Sequence, residues 1–111
     1  MTTSELSTRP CQPCNGTMSA LLQSAIDPLM QQLTGWQQYD HLISRTYHFK
    51  NYYQTIAFVN AIAWLSHREN HHPELGVSFN ECRVEYTTHA IHGLSENDFI
   101  CAAKVDALYQ A

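Results

Sequence analysis

The run from Asn51 to Pro73 constrains this chain more than any other stretch. Asn51 suits a helix N-cap, because its side chain can accept a hydrogen bond from an N–H of the first turn. Tyr52, Ile56, Val59 and Ala63 then recur at helical spacing, and Phe58, Ile62 and Leu65 widen that stripe. Pro73 closes the run: it drives His72 into an extended conformation, so a helix arriving from upstream must end near this point. The pattern predicts one long helix from Tyr52 to about Asn70. A second stripe, Tyr53, Ala57, Asn60 and Trp64, lies beside the first. One sheet cannot cover so wide an arc, so part of this helix is expected in a subunit interface.

Strand patterns flank the helix. Trp36–Tyr39 is a short candidate, Asp40-His41 turns the chain, and Leu42–Phe49 alternates, with Ile43, Arg45, Tyr47 and Phe49 on one face. Downstream, Leu75, Val77 and Phe79 alternate, as do Cys82, Val84 and Tyr86, with a turn at Asn80-Glu81. Each pair reads as a hairpin. Before them, Leu22, Ile26, Leu29 and Leu33 form a helical stripe interrupted by Pro28. Either Asp27 caps a helix covering at least Pro28–Leu33, or a longer helix kinks at Pro28. Thr34-Gly35 ends it. Ser95 caps a last helix, with Asp98 in its first turn as a near capping box and Phe99, Ala102, Ala103, Val105 and Leu108 on its apolar side. The order α-β-β-α-β-β-α predicts an α+β fold, an antiparallel sheet of about four strands with three helices packed on one face.

A chain of 111 residues suffices for one domain. Residues 18–111 are expected to form it. Residues 1–17, with Pro10, Pro13 and Gly16, read as a flexible leader. A net charge of −4 with only six Lys and Arg argues against nucleic acid or an anionic membrane as partner, since phosphate binding needs clustered positive charge. No apolar run approaches the ~20 residues needed to cross a bilayer, and the first residues lack a secretory pattern. A soluble, cytoplasmic protein is expected. Cys11 and Cys14 form a single C-x-x-C; the second close pair of a zinc ribbon is missing, and no strand precedes the motif as in a thioredoxin-like site. Incidental thiols in a leader are the expectation, with metal binding or a disulfide as alternatives. Cys82 and Cys101 read as small buried apolar residues.

Three of the seven histidines lie in Ser66–Glu74. His67 and His71 are spaced i, i+4, as zinc-binding histidines are on a helix, but Arg68 stands where the metalloprotease motif has glutamate, and no metal is expected. On its own, His67 reads as a solvated residue of the last helical turn, and His41, His48 and His92 read as surface residues. Two histidines at a helix exit, His71 and His72, and one at a strand end, His89, could instead converge on one pocket. No serine or cysteine stands in an activated setting, and there is no Gly-rich phosphate loop. What remains is proton transfer, as in dehydration or isomerisation.

His71-His72-Pro73-Glu74, the aromatic Phe79, Thr88-His89, Gly93-Leu94-Ser95 and Asp98 together resemble the signature of the pterin-4a-carbinolamine dehydratases. Leu33-Thr34-Gly35-Trp36, Ser44–Phe49 and Phe58-Val59 extend the likeness to about Ala20–Leu108. The resemblance implies a homodimer or homotetramer, and dehydration of 4a-hydroxytetrahydropterin (4a-hydroxytetrahydrobiopterin) to quinonoid dihydropterin without metal or cofactor. It implies recycling of pterin for aromatic amino acid hydroxylation, with a functional link to a phenylalanine hydroxylase. His71 and His89 match the acid–base histidines, in either order, and His72 the histidine that helps hold the pterin and its hydroxyl. Asp98 matches an orienting aspartate, and the backbone around Thr88 and the side of Pro73 belong to the implied binding surface. His67 stands where the family usually has a glutamate, a loss for which Glu69 is a candidate substitute; both are counted with Pro73, Thr88 and Asp98 among the implied substrate-binding residues, and Leu75 replaces an aromatic wall residue. Some relatives are non-catalytic dimerisation or assembly modules, the alternative reading.

Overall fold

A computed structural model describes residues 6–13 and 19–109. Its elements are α1 (Gln23–Met30), β1 (Gln37–Tyr39), β2 (Leu42–His48), α2 (Tyr52–Glu69), β3 (Glu74–Val77), β4 (Glu81–Tyr86), a 3-10 turn (His89–Ile91) and α3 (Glu96–Leu108). The four strands make one antiparallel sheet in the order β1-β2-β4-β3. Both expected hairpins form. Ile43 pairs with Tyr86 and Tyr47 with Cys82, so the period-two alternation sends Ile43, Tyr47, Cys82, Val84 and Tyr86 into the core together. The helices cover that face, as the α+β reading requires.

Asn51 caps α2 through its side chain, which accepts from the Gln54 N–H at 2.8 Å. The inward face of α2 is rotated from the expected stripe. Thr55, Phe58, Ile62, Leu65 and Ser66 are buried, whereas Tyr52 and Ala63 are exposed. Thr55 and Ser66 are admitted to the core because each hydroxyl donates to a carbonyl one turn back, to Asn51 O at 2.9 Å and to Ile62 O at 2.7 Å. The second stripe faces outward: Tyr53 is 83% and Trp64 59% exposed.

Two helix readings change. α1 includes Pro28 and ends at Met30, so Asp27 is an interior residue rather than the cap. Burial of Ile26 recruits a turn ahead of the proline, and Gln32 and Leu33 follow with tighter bonds to the carbonyls of Leu29 and Met30, three residues back. Gly35, at φ +87°, then turns the chain into β1.

The sequence reading set residues 1–17 apart, and the residue 17/18 boundary lies outside the described residues. Residues 6–13 pack on the domain. Leu6 is 1% exposed within the core. The segment runs along α3: Lys104 donates to Ser7 O at 2.7 Å, Arg9 pairs with Glu96 at 2.6 Å, and Asn97 exchanges hydrogen bonds with Gln12 N and O at 2.9 and 2.7 Å. This covering explains why α3 buries every residue from Asn97 to Ala103 rather than a single stripe. Cys14 lies outside the described residues.

At its far end α3 is tied to the sheet through Asp106. Its Oδ1 accepts from Trp36 Nε1 at 3.0 Å, Arg45 Nη1 at 2.9 Å and the Tyr47 hydroxyl. Burial, reinforced by the Asp106 charge, pushes the Tyr47 phenol far above its ordinary range, so it serves as a fixed donor. Among the described residues, no helix is long and apolar enough to cross a membrane.

Candidate active site

The exit of α2 sets the first two histidines. Asn70 adopts a left-handed conformation, φ 54°, which asparagine tolerates better than most residues. Its N–H donates to His67 O at 3.4 Å, and the His71 N–H donates to Ser66 O at 3.2 Å. These two bonds are the Schellman closure of a helix C-terminus. The helix therefore stops just before Pro73 can act on it, and the proline only holds the next residues extended. Left-handed Asn70 also separates His67 from His71, so the two share no helical face. His67 is exposed and outside the cleft described below.

His71 is held on two sides. Its Nε2 lies 2.7 Å from Asp98 Oδ1, and its ring stacks on Tyr86 with centroids 5.5 Å apart and planes 6° apart. Asp98 is 0% exposed, and its other oxygen accepts from Thr88 Oγ1 at 2.7 Å and from the Ser95 N–H at 2.9 Å. A carboxylate with those neighbours acts as acceptor, which makes His71 Nε2 the donor and leaves Nδ1 as the ring's proton-accepting position. The Tyr86 hydroxyl is buried near Ser66, with no partner in good hydrogen-bond geometry among the described residues. Burial first, then the neighbouring Cys101, Cys11 and Asp98, push it well above the ordinary phenol range.

His89 opens the 3-10 turn that follows Thr88. A two-bond bridge closes that loop: Thr88 N–H to Gly93 O at 2.9 Å and Gly93 N–H to Thr88 O at 3.4 Å. Gly93 is needed there because a Cβ would come within 2.6 Å of Ala20 Cβ. Thr88 is doubly fixed, since its hydroxyl meets both Asp98 and Ser95 Oγ, the latter at 2.8 Å. Asp98 thus sets His71 directly and the residue before His89 through one hydroxyl.

His71, His72 and His89 line one cleft of about 390 Å³, together with Glu69, Thr88 and the segment Cys11–Pro13. Pro73 does not line it. Thr88 does, but its backbone N–H, carbonyl and hydroxyl are all engaged inside the protein. Glu69 is held by the Cys11 N–H at 3.1 Å, Arg68 Nε at 3.2 Å and, more distantly, Lys104 Nζ at 3.9 Å. Burial would raise its pKa, but the Cys11 N–H, Lys104 and Arg68 outweigh burial and lower it. Sequence reasoning missed the wall made by Cys11–Pro13 and Asn97: the C-x-x-C pattern drew notice to Cys11 as a thiol, but nothing in it said where residues 11–13 dock. On the far side of His89, a second hollow of about 360 Å³ is bordered by Asp40, His41, Thr87 and His92.

The cleft therefore presents three imidazoles from two distant parts of the chain, one with a buried carboxylate behind it. Such a site can donate a proton at one point and accept one at another. A sequence profile described as pterin 4 alpha carbinolamine dehydratase matches residues 19–108. A Nitrosospira multiformis protein, provisionally named a pterin-4-alpha-carbinolamine dehydratase, is 60% identical over 98% of this chain and 96% of its own. The crystal structure of a Brucella melitensis transcriptional coactivator/pterin dehydratase superposes with a TM-score of 0.78 at 28% identity, covering 81% of this chain and 98% of that one. A pterin dehydratase-like RuBisCO assembly factor of the alpha-carboxysome superposes with a TM-score of 0.56 at 27% identity, covering 66% and 84%. With its fold, its paired cleft histidines and a profile match across most of its length, this chain belongs to the pterin-4a-carbinolamine dehydratase family.

Proposed function

We propose that the chain dehydrates 4a-hydroxytetrahydropterin, 4a-hydroxytetrahydrobiopterin included, to quinonoid dihydropterin and water. The observation that carries this reading is the convergence of His71, His72 and His89 on one cleft. In the reaction the C4a–O bond breaks as its hydroxyl gains a proton, and N5 loses its proton as the N5=C4a double bond forms. One imidazole supplies the first proton and another takes the second, so the two histidines end with exchanged protonation states. His71, fixed through Nε2, works through Nδ1, and His89 is the complementary group. His72 steers the hydroxyl. Asp98 and Thr88 are positioning residues, and Glu69 shapes the floor against the N-terminal segment. Imidazole is matched to this task near neutral pH, where each positioned acid or base contributes ~10²–10⁴-fold.

The same reading makes the chain a cytoplasmic recycling enzyme beside a phenylalanine hydroxylase. It also makes it a homodimer or homotetramer, an arrangement that would cover Tyr53 and Trp64 on α2. Sedimentation as a monomer at micromolar concentration would remove the oligomer.

Freshly generated 4a-hydroxytetrahydropterin, followed by stopped-flow absorbance, tests the activity. His71→Ala should lose most turnover while its circular dichroism is unchanged; full turnover in that variant would overturn the mechanism. The alternative, a non-catalytic dimerisation or assembly module, draws on the likeness to the RuBisCO assembly factor. It predicts no acceleration by the unaltered chain.

A further inference from the structure

We propose that Cys11 and Cys101 form a reversible disulfide that fastens the N-terminal segment to α3 at the wall of the cleft, with a low-molecular-weight disulfide of the glutathione type as oxidant. The two sulfurs lie 3.3 Å apart. That is direct contact, and a bond requires them only about 1.3 Å closer. The residues stand 90 positions apart in sequence, so their meeting is a product of the fold. Their surroundings hold them there: the Cys11 N–H is bound by Glu69, and Gln12 is bound on both sides by Asn97, one turn before Cys101 on α3.

Access divides the roles. Cys11 lines the cleft and is partly exposed, whereas Cys101 is fully buried. A small disulfide entering the cleft can reach Cys11 alone. The Cys11 thiolate attacks one sulfur of that disulfide, forming a mixed disulfide and releasing one small thiol. Cys101, losing its proton, then attacks the Cys11 sulfur and releases the second. Two protein thiols are oxidised and one small disulfide is reduced to two thiols, so atoms and electrons balance. Cys82, buried on β4, has no sulfur partner among the described residues.

The consequence falls on the cleft. In the dithiol form residues 11–13 are held by hydrogen bonds and by the packing of Cys11 on the core, whereas the disulfide makes that wall a covalent part of α3. The inference does not depend on the dehydratase reading, since it concerns thiol chemistry.

The test uses the full chain in glutathione buffers of graded ratio, quenched by alkylation and analysed by intact mass and peptide mapping. The expected oxidised species lacks two hydrogens, joins the Cys11 and Cys101 peptides, and reverts on reduction. Its Tm should rise by about 10 °C, since the bridge closes a long loop. Cys101→Ser, or Cys101→Ala should the serine variant not fold, should trap Cys11 as a stable mixed disulfide and abolish the Tm rise. A Cys11–Cys14 linkage, a mixed disulfide persisting in the unaltered chain, or no oxidation across the series would each overturn the proposal.

Discussion

Asp98 stands 2.7 Å behind His71, and its second oxygen holds Thr88, the residue that precedes His89. One buried carboxylate at the start of α3 thereby sets the bearings of two histidines that reach the cleft from different elements. Asp98→Asn keeps the shape and removes the charge. An amide cannot accept from His71, Thr88 and Ser95 N–H as a carboxylate does, so either the imidazole tautomer or the Thr88 clasp is lost. We expect kcat to fall by ~10²–10⁴-fold with the fold retained. Steady-state kinetics beside circular dichroism checks this, and an unchanged kcat would remove Asp98 from the positioning role.

Asn70 gives a backbone test of the same geometry. Its left-handed φ costs most side chains about 1–2 kcal/mol and costs glycine little. Asn70→Ala should destabilise by about 1 kcal/mol and slow turnover by displacing His71, whereas Asn70→Gly should stay near the parent in both. Urea unfolding and kcat of the two variants together separate a conformational cause from the loss of a polar side chain.

Glu69 predicts an acid limit confined to the N-terminal segment. Its pKa is lowered from 4.5: burial alone would raise it, but the Cys11 N–H, Lys104 and Arg68 prevail. A depressed carboxylate contributes stability above its unfolded value and loses it as pH falls through the folded value. Protection of the Cys11 amide should therefore be constant above pH 4.5 and decay below it. Hydrogen exchange of residues 6–13 across that range reads this out, and Glu69→Gln should show weakened protection already at neutral pH.

Asp106 tests the other end of α3. Three donors converge on its Oδ1, and Arg45 is its charged partner. Asp106→Ala removes the acceptor shared by all three, although Arg45 Nη1 keeps Thr34 O at 3.0 Å and is partly exposed, so the cost should be about 2–3 kcal/mol. The loss should appear in denaturant midpoint. Turnover per folded molecule should change little, because the cleft lies at the opposite end of the helix; a fall in kcat matching that of Asp98→Asn would contradict this separation.

Much of this was readable before any coordinates. Alternation identified the strand faces, because in a sheet covered on one side periodicity and burial are the same information. His71, His72 and His89 stood out as histidines at a helix exit and a strand end, and all three line one cleft; Asp98 was legible from pattern only as a capping residue, and its contact with His71 was not. Other features were hidden for physical reasons. The inward face of α2 includes Thr55 and Ser66, polar in composition yet buried through local hydrogen bonds, so a hydropathy reading rotated the helix. The stop at Asn70 depends on two backbone bonds, and Pro73, the louder signal, sits just beyond. Residues 6–13 dock through Leu6 and through backbone and polar contacts made without a regular period, so composition alone set them apart as a leader.

α3 joins two tasks that are often kept on separate elements. Asp98 and Asp106 are eight positions apart, about 12 Å of helix, with a stretch of small and apolar residues packed on all sides between them. Each end has its own clamp: Ser95, Thr88 and His71 grip the first turn, and Trp36, Arg45 and Tyr47 grip the last. The helix can therefore loosen at its C-terminal junction, at a cost in stability, while its N-terminal turn keeps the imidazoles in register.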